Sequence, residues 1–255
     1  MLNTKKLIFT VLLLLTNTCY ADLPFLKHLS GKQNLPKPFG LSVDSFSVKQ
    51  NYNIGKFQVG PNEFDTVDPS LTSVNSDINY TALRFDAWVF PFLNLFAMHG
   101  KVDVNTHVDN RQIMIPSLNN IDLDGDITGM GMTVAFGKSH WFGSLTTTIT
   151  ETNLDGKLES EIDTLTLQPK LGLIFGKTNL WVTALYIDSE ESHRGSFDLG
   201  IPSMPPTNFD ATLVPKEKVN YGIGARFELA KNVELTGEIG FGGIEHQLIS
   251  LGWRF

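Results

Sequence analysis

Charged and histidine side chains recur at alternate positions in several segments, a spacing that puts them on one face of a β-strand. Both signs are present in similar number. If that face is enclosed, unpaired charge is costly, so we expect ion pairs that crosslink an interior. The alternative is a narrow polar path whose charges select small solutes. The side chains are Arg84, Asp86, Lys170, Arg226, Glu228, Glu234, Glu238, His246 and Arg254.

The six histidines also suggest nucleophilic or acid–base catalysis. His246 and Ser250 share a face, but four residues of extended strand separate them by roughly 13 Å, too far for a base and its nucleophile. An acidic partner for His246 on a neighbouring strand, Glu234 or Glu238, is conceivable. No serine completes that group, so we predict that the protein is not an enzyme, with no catalytic residue and no cofactor.

The stretch DLDGDITG at 122–129 has the alternating acids of a calcium loop, at Asp122, Asp124 and Asp126. It departs from the EF-hand pattern in two places. Ile127 stands where that pattern requires glycine, and Thr133 stands where it requires the bidentate glutamate. We therefore interpret the stretch as an acidic Asp-Gly turn in an exposed loop and predict no metal site.

Strands are the elements that must position these side chains. Leu165, Leu167 and Leu171 fall on one face of a segment in which polar residues alternate with them. The second face of such segments is richer in glycine than the solvent face of a soluble sandwich, which favours a barrel wall. We predict ten strands, at 41–54, 76–90, 92–104, 126–137, 140–151, 161–175, 179–189, 217–229, 232–242 and 245–255.

The connections between these segments are of two kinds. Those after the second, fourth, sixth and eighth strands are tiny, whereas four of the others are long. Short turns therefore fall at one end of the sheet and long loops at the other, and an even strand count puts both ends of the barrel chain on the short-turn side. The long connections are predicted at 55–75, 105–125, 152–160 and 190–216.

The first 21 residues have the features of a secretory signal peptide. Lys5 and Lys6 precede the apolar run from Leu7 to Leu15, and Ala21 offers a small residue for cleavage. The run is much shorter than the roughly 20 residues that span a bilayer as a helix. Cleavage would remove Cys19, the one cysteine; lipidation of that cysteine is a minor alternative. Residues 22–40 are predicted as an N-terminal tail or a small plug.

Aromatic residues gather at two heights along the predicted strands, as expected for rings at two membrane interfaces. Near the short turns or the C-terminus lie Trp88, Trp141, Trp181 and Trp253. Near the long loops lie Tyr52, Tyr80, Tyr186 and Tyr221. We predict that Trp253 and Phe255 anchor the last strand in the short-turn girdle, and that this strand pairs with the first, so that no edge is left bare.

The signal peptide, the alternating strands and the terminal ISLGWRF resemble those of Gram-negative outer-membrane β-barrel proteins. The blocks LRFDAWVFPFLNLFAMHGKV, LWVTALYID and LTGEIGFGG are also similar to those of a small uncharacterised group of such barrels. The resemblance implies an all-β, transmembrane, antiparallel up-and-down barrel of about ten strands over 41–255, with eight or twelve as alternatives. It also implies an outer-membrane location, with short turns in the periplasm, and a C-terminal signal read by the barrel-insertion machinery.

The function expected from this architecture is a narrow pore or a scaffold for surface loops. A surface interaction protein, adhesin-like, is one alternative, and an outer-membrane hydrolase or acyltransferase is another. The formal charge of −7 and the lack of a basic patch argue against nucleic-acid binding. Outer-membrane lipid and lipopolysaccharide are the expected surroundings, with an extracellular partner unassigned.

Overall fold

The computed structural model describes residues 23–30, 37–59, 62–64, 72–110, 120–156, 159–197 and 207–255. Among these residues, no helix is long and apolar enough to cross a membrane. A short 3-10 helix, Lys27–Ser30, comes before the strands. The strands are β1 (Phe39–Val59), β2 (Asn62–Phe64), β3 (Thr72–Phe90), β4 (Leu93–Asn110), β5 (Asn120–Lys138), β6 (Trp141–Gly156), β7 (Glu159–Phe175), β8 (Thr178–Phe197), β9 (Thr207–Pro215), β10 (Val219–Ala230), β11 (Val233–Gly242) and β12 (Glu245–Arg254).

Ten of these strands form a closed antiparallel ring. Its order is β1, β3, β4, β5, β6, β7, β8, β10, β11 and β12, and β12 then pairs with β1. The closure continues to the last residue, since the backbone N–H of Phe39 donates to Phe255 at 3.2 Å and that of Phe255 donates to Phe39 at 3.0 Å. Every strand of the ring therefore has two neighbours, and the predicted ten-stranded barrel is confirmed.

The ring narrows from ten strands to eight towards the end that carries the long connections, which we call the long-loop end. β9 pairs with β8 on one side and with β1 on the other, above the short strands β10, β11 and β12. The interpretation of 190–216 as a loop is therefore wrong, because its described part continues β8 to Phe197 and then forms β9. The opposite end, the short-turn end, keeps all ten strands.

The predicted strands stop too early at the long-loop end. β4 continues to Asn110 and β5 begins at Asn120, so much of the loop predicted at 105–125 is a continuous hairpin. The reason is that the surroundings of β4 change along the strand. Near the short-turn end, the outward residues such as Leu95 are apolar. Nearer the long-loop end, the outward residues Lys101 and Asp103 are polar, and Val102 is buried inside with 1% exposure.

Large apolar side chains are exposed on the outward face of the ring at alternate positions. Leu165, Leu171 and Leu173 are examples on β7, with Leu171 60% exposed. The outer face carries no second layer of described protein, and a soluble protein rarely exposes a continuous apolar surface of this extent. We call this band of outward apolar residues the apolar belt. Hydrocarbon is the environment that satisfies it, so the fold is a transmembrane barrel.

The inside of the eight-stranded part is filled by an apolar core. An eight-stranded barrel has an interior that side chains just fill. The turn between β11 and β12 also reaches inside, because Ile244 is fully buried and packs against Val48, Leu185 and Ile187. The larger cluster comprises Ala82, Met98, Val102, Val104, Ile121, Leu123, Ile127, Leu154, Ile162 and Phe209.

The first described residues lie against the short-turn end of β3. The backbone N–H of Phe25 donates to the carbonyl of Val89 at 2.8 Å, and the rings of Phe25 and Phe90 are 6.2 Å apart. Phe25 remains 44% exposed. The signal peptide predicted at 1–21 falls outside the described residues, as does most of the segment that joins Ser30 to β1.

Candidate functional site: the lumen

The lumen charges predicted from the sequence form separate ion pairs on the inner face rather than one cluster. As predicted, these residues occupy the alternate strand positions whose side chains face the lumen. Each pair joins strands, so the pairs crosslink the wall and do not line an open ring of one sign. The pairs are Arg254 with Asp86 at 2.6 Å, Lys170 with Glu238 at 2.7 Å, and Arg226 with Glu234 at 3.1 Å.

Two of the predicted charges are not in such a pair. The guanidinium of Arg84 lies over the ring of Phe96, 3.9 Å from its centroid. Its Nε atom is buried and has no hydrogen-bond partner among the described residues. Glu228 is exposed at the short-turn mouth, directly opposite Glu234 in the β10–β11 register.

The Glu238 carboxylate is the best-connected group in the lumen. It accepts hydrogen bonds from Lys170 Nζ at 2.7 Å and Trp181 Nε1 at 2.7 Å. It also accepts from Gln168 Nε2 at 2.5 Å and lies 3.0 Å from His246 Nε2. We call these five residues the Glu238 cluster. A buried carboxylate with several donors, one of them cationic, is satisfied in the way that a structural ion pair requires.

His246 is held inside this cluster and is fully buried. Its Nδ1 atom lies 2.6 Å from Asn220 Nδ2, so this amide donates to it and leaves the proton on Nε2, where it faces Glu238. Gly240 makes room for the ring, since a Cβ there would lie 2.1 Å from Nδ1. Ser250, the serine on the same face, donates instead to Asp44 at 2.6 Å. His246 is therefore placed as a structural residue.

A cavity of about 180 Å³ extends in the lumen from the Glu238 cluster into the eight-stranded part. Asp44 and Glu238 line it on one side, and Tyr52 and Glu191 line it towards the long-loop end. A buried cavity needs far less volume than this to hold one water molecule. The space therefore suffices for several waters or one small solute.

One wall of this cavity is a double row of threonines, which the sequence analysis missed. We call it the threonine wall. The far side of the ring is mixed: Phe46, Val48 and Ile78 line it together with polar residues that include Asp44 and Arg84. The signal was present as threonine at every second residue of β6, which puts the hydroxyls on one face. The threonine wall consists of Thr146, Thr148, Thr150 and Thr152 on β6 and Thr164 and Thr166 on β7.

The long-loop side of the cavity carries a second polar group that the sequence analysis also missed. Ser160 Oγ lies 2.7 Å from His193 Nδ1, and His193 Nε2 lies 3.5 Å from Glu191 Oε2. All three side chains are buried. The β7–β8 register brings Ser160 and His193 together in a region predicted as loop, so no pairing could be assigned from the sequence. The residue types are those of a hydrolytic triad, but the contact to Glu191 is longer than a hydrogen bond.

Some of the residues predicted to form the aromatic girdles face the lumen, and the others face outward. Tyr52, Tyr80 and Trp181 point into the lumen, so their assignment to the outer girdles is wrong. Height along a strand was read from the sequence, but Tyr80 and Tyr52 have the inward parity of their strands. Trp88 has a buried indole nitrogen. The residues that face outward are Trp141, Tyr186, Tyr221, Trp253 and Phe255.

The acidic stretch at 122–129 lies in β5, so its interpretation as a turn is wrong. Asp122 accepts a hydrogen bond from Asn105, and Asp126 forms an ion pair with Lys101 at 2.7 Å. Among the described residues, no group of three or more His, Cys, Asp or Glu side chains is arranged to hold a metal ion.

The chain matches no protein-family model and no curated protein sequence. Several solved outer-membrane proteins are similar in structure. The outer membrane protein OprG from Pseudomonas aeruginosa has a TM-score of 0.48 at 7% identity, covering 87% of this chain and 99% of that one. The beta domain of the Bordetella autotransporter BrkA has a TM-score of 0.44 at 12% identity, covering 86% and 100%. The outer membrane protease OmpT from Escherichia coli has a TM-score of 0.41 at 9% identity, covering 88% and 99%. Likenesses this distant do not identify a function.

Proposed function

We propose that the protein is an outer-membrane β-barrel whose lumen passes small, uncharged solutes that have both a polar and an apolar side. The short turns face the periplasm and the long-loop end faces outward, the signal peptide having been removed. One observation carries the proposal: the lumen cavity has the threonine wall on one side, and Phe46, Val48 and Ile78 are among the side chains of the other side. Hydroxyls supply both donors and acceptors to a polar group without requiring charge.

The arrangement of charge supports a narrow path over a general diffusion pore. Arg254, Lys170 and Arg226 are each paired with an acid, whereas Arg84, which lines the cavity, lies over the ring of Phe96. An ion entering this narrow space would lose much of its hydration, which is unfavourable unless a lining charge compensates for it. An uncharged molecule avoids that cost. Passage requires side chains at the two ends of the cavity to shift.

The test is uptake of small neutral solutes into proteoliposomes. Thr148→Phe puts a ring into the cavity, whereas Thr147→Phe puts the same ring on the outward face of the same strand. We expect Thr148→Phe to lower the uptake rate by about tenfold or more, as befits a blocked narrow lumen, and Thr147→Phe to leave it unchanged. Equal uptake by both variants and by empty vesicles would contradict a transport role.

A surface scaffold is the second candidate, and one observation favours it. β4, β5 and β7 extend past the apolar belt with acidic outward residues, including Asp103, Asp124 and Glu161. This rim could present the long connections to a partner outside the cell. Shortening the connection between β4 and β5 at residues 111–119 would then abolish cell attachment while uptake of solutes persists.

We keep the prediction that the protein is not an enzyme, and the Ser160–His193–Glu191 group offers the sharpest test. A fluorophosphonate probe labels an activated serine through its hydroxyl. We expect no labelling of the refolded protein, because Ser160 is buried and Glu191 lies beyond hydrogen-bond distance of His193. Labelling that disappears in Ser160→Ala but persists in Ser250→Ala would support the hydrolase alternative instead.

A further inference from the structure

The outside of the barrel has an apolar groove of about 980 Å³ that extends from Trp141 on β6 and Leu171 on β7 across β8, β10 and β11 to β12. Ala225 and Gly237 face each other directly in the β10–β11 register and form its floor. We call it the Ala225–Gly237 groove. Leu180 on β8 and Ile249 on β12 flank this floor, and Ile223 and Ile239 stand at its long-loop end; these four side chains are 45–61% exposed.

Gly237 has no packing role that explains it. A Cβ at this position would meet no atom within 4 Å, and its backbone φ is not in the left-handed range. Gly224 and Gly240 differ, because a Cβ there would lie within 2.4 Å of Trp181 or His246 on the lumen side. Those two glycines are required by lumen packing. Gly237 instead keeps the floor of an outward groove low.

The chemistry of the groove selects its occupant. It lies within the apolar belt, and its outward lining side chains are apolar except Gln247, which is on the long-loop side; the Glu238 side chain points into the lumen. The large side chains of Leu180 and Ile249 stand on either side of the small residues Ala225 and Gly237. This concave shape accepts a hydrocarbon chain, whereas the outer face of a second barrel is convex and does not fit it. Within a bilayer, the group that fits is an acyl chain.

A positive charge lies at the short-turn end of the groove. Lys177 is in the β7–β8 turn and Lys231 in the β10–β11 turn, and both are exposed. The two turns are neighbours, since Glu228 N–H near the end of β10 donates to the carbonyl of Lys177 at 2.9 Å. Glu228 is the acidic residue at this mouth, and it has the lumen-facing parity. Two lysines at an interface attract an anionic headgroup.

We infer that the Ala225–Gly237 groove binds one phospholipid of the periplasmic leaflet, with an acyl chain along the groove and the phosphate between Lys177 and Lys231. The inference rests on the membrane orientation given in the proposed function, but not on transport. The phosphate and the chain are separate determinants, because they lie on different residues. This separation allows each to be tested alone.

Native mass spectrometry of the detergent-solubilised protein, titrated with phosphatidylglycerol, tests the inference. We expect one retained lipid. Gly237→Leu fills the floor and should weaken binding by at least about tenfold, the effect of losing burial of two methylene groups. The matched control is Ala97→Leu, which adds a leucine at an exposed outward position on β4, on another side of the belt. It should retain the lipid.

The double variant Lys177→Gln with Lys231→Gln should weaken binding of phosphatidylglycerol several-fold and leave binding of uncharged diacylglycerol unchanged. No retained lipid in the wild type, or equal loss in Gly237→Leu and Ala97→Leu, would overturn the inference. Retained lipid without solute uptake would instead count against the proposed function alone. The two proposals therefore fail in distinguishable ways.

Discussion

At the scale of single residues, glycines on the lumen face make space for buried rings. Gly240 accommodates His246, and Gly224 accommodates the indole of Trp181. These two glycines of the lumen face are therefore explained by the space that the neighbouring rings require. The rings they admit are part of the Glu238 cluster, so the glycines indirectly position a buried carboxylate.

A pair of glycine substitutions tests this steric role. Gly240→Ala places a methyl group 2.1 Å from His246 Nδ1, whereas Gly237→Ala meets open space. We expect Gly240→Ala to destabilise the barrel by about 1–3 kcal/mol, as overpacking does, and Gly237→Ala to have almost no effect. Thermal unfolding in detergent, followed by the gel shift between folded and unfolded barrels, measures both. Equal stability of the two variants would argue against tight packing around His246.

One surface pair just beyond the apolar belt gives a prediction on pH. Lys218 donates to Asp188 at 2.5 Å, and this hydrogen bond together with the lysine charge lowers the pKa of Asp188 below its usual value. A lowered pKa means that the pair stabilises the fold above the unfolded-state pKa of about 3.9 and loses this contribution as pH falls through the lowered value. NMR titration should show the low midpoint, and Lys218→Met should return it to normal. A normal midpoint in the wild type would mean that the pair does not persist in solution.

At the scale of elements, β9 determines the shape of the long-loop end. It takes the place of β10, β11 and β12 between β8 and β1, and it reduces the ring to eight strands. Its Phe209 contributes to the apolar core that fills this part. The apolar core at this end therefore includes a side chain from a segment that the sequence indicated to be a loop.

Phe209→Ala tests whether this core closes the lumen. Removing the ring should destabilise the barrel by about 3–5 kcal/mol through loss of packing. It should also raise solute uptake into proteoliposomes, because the obstruction at the long-loop end becomes smaller. Phe227→Ala is the control, since Phe227 is exposed on the outward face and its truncation leaves the lumen unchanged. Unaltered uptake in Phe209→Ala would place the main barrier elsewhere, at the Glu238 cluster.

At the scale of the whole molecule, closure and alternation together give the barrel two environments. The outward face is apolar within the belt and polar above it. The inward face changes along the axis from crosslinked charges at the short-turn end to the cavity, whose apolar lining residues are part of the core of the eight-stranded part. A small solute therefore meets a different surface at each level, and a lipid meets an apolar surface that includes the Ala225–Gly237 groove.

Much of this organisation could be predicted from the sequence, because alternation is a local property. The row of Leu165, Leu167 and Leu171 identifies the outward face of β7, and the same parity correctly puts Lys170 and Glu238 inside. The ten ring strands follow from the same pattern. Strand ends at the long-loop side did not follow, since the apolar face changes from outward to inward where the chain leaves the hydrocarbon.

What the sequence by itself determined is the set of residues that share a face, because side chains alternate along any strand. Only the tertiary structure decided the register of the paired strands and the position of β9 between β8 and β1. The contacts of Glu238 with Lys170 and Trp181, and the position of β9, depend on segments that are not consecutive, whereas the contact of Ser160 with His193 depends on the register of the consecutive strands β7 and β8. Such pairing is set by closure of the whole ring, and no local pattern specifies it.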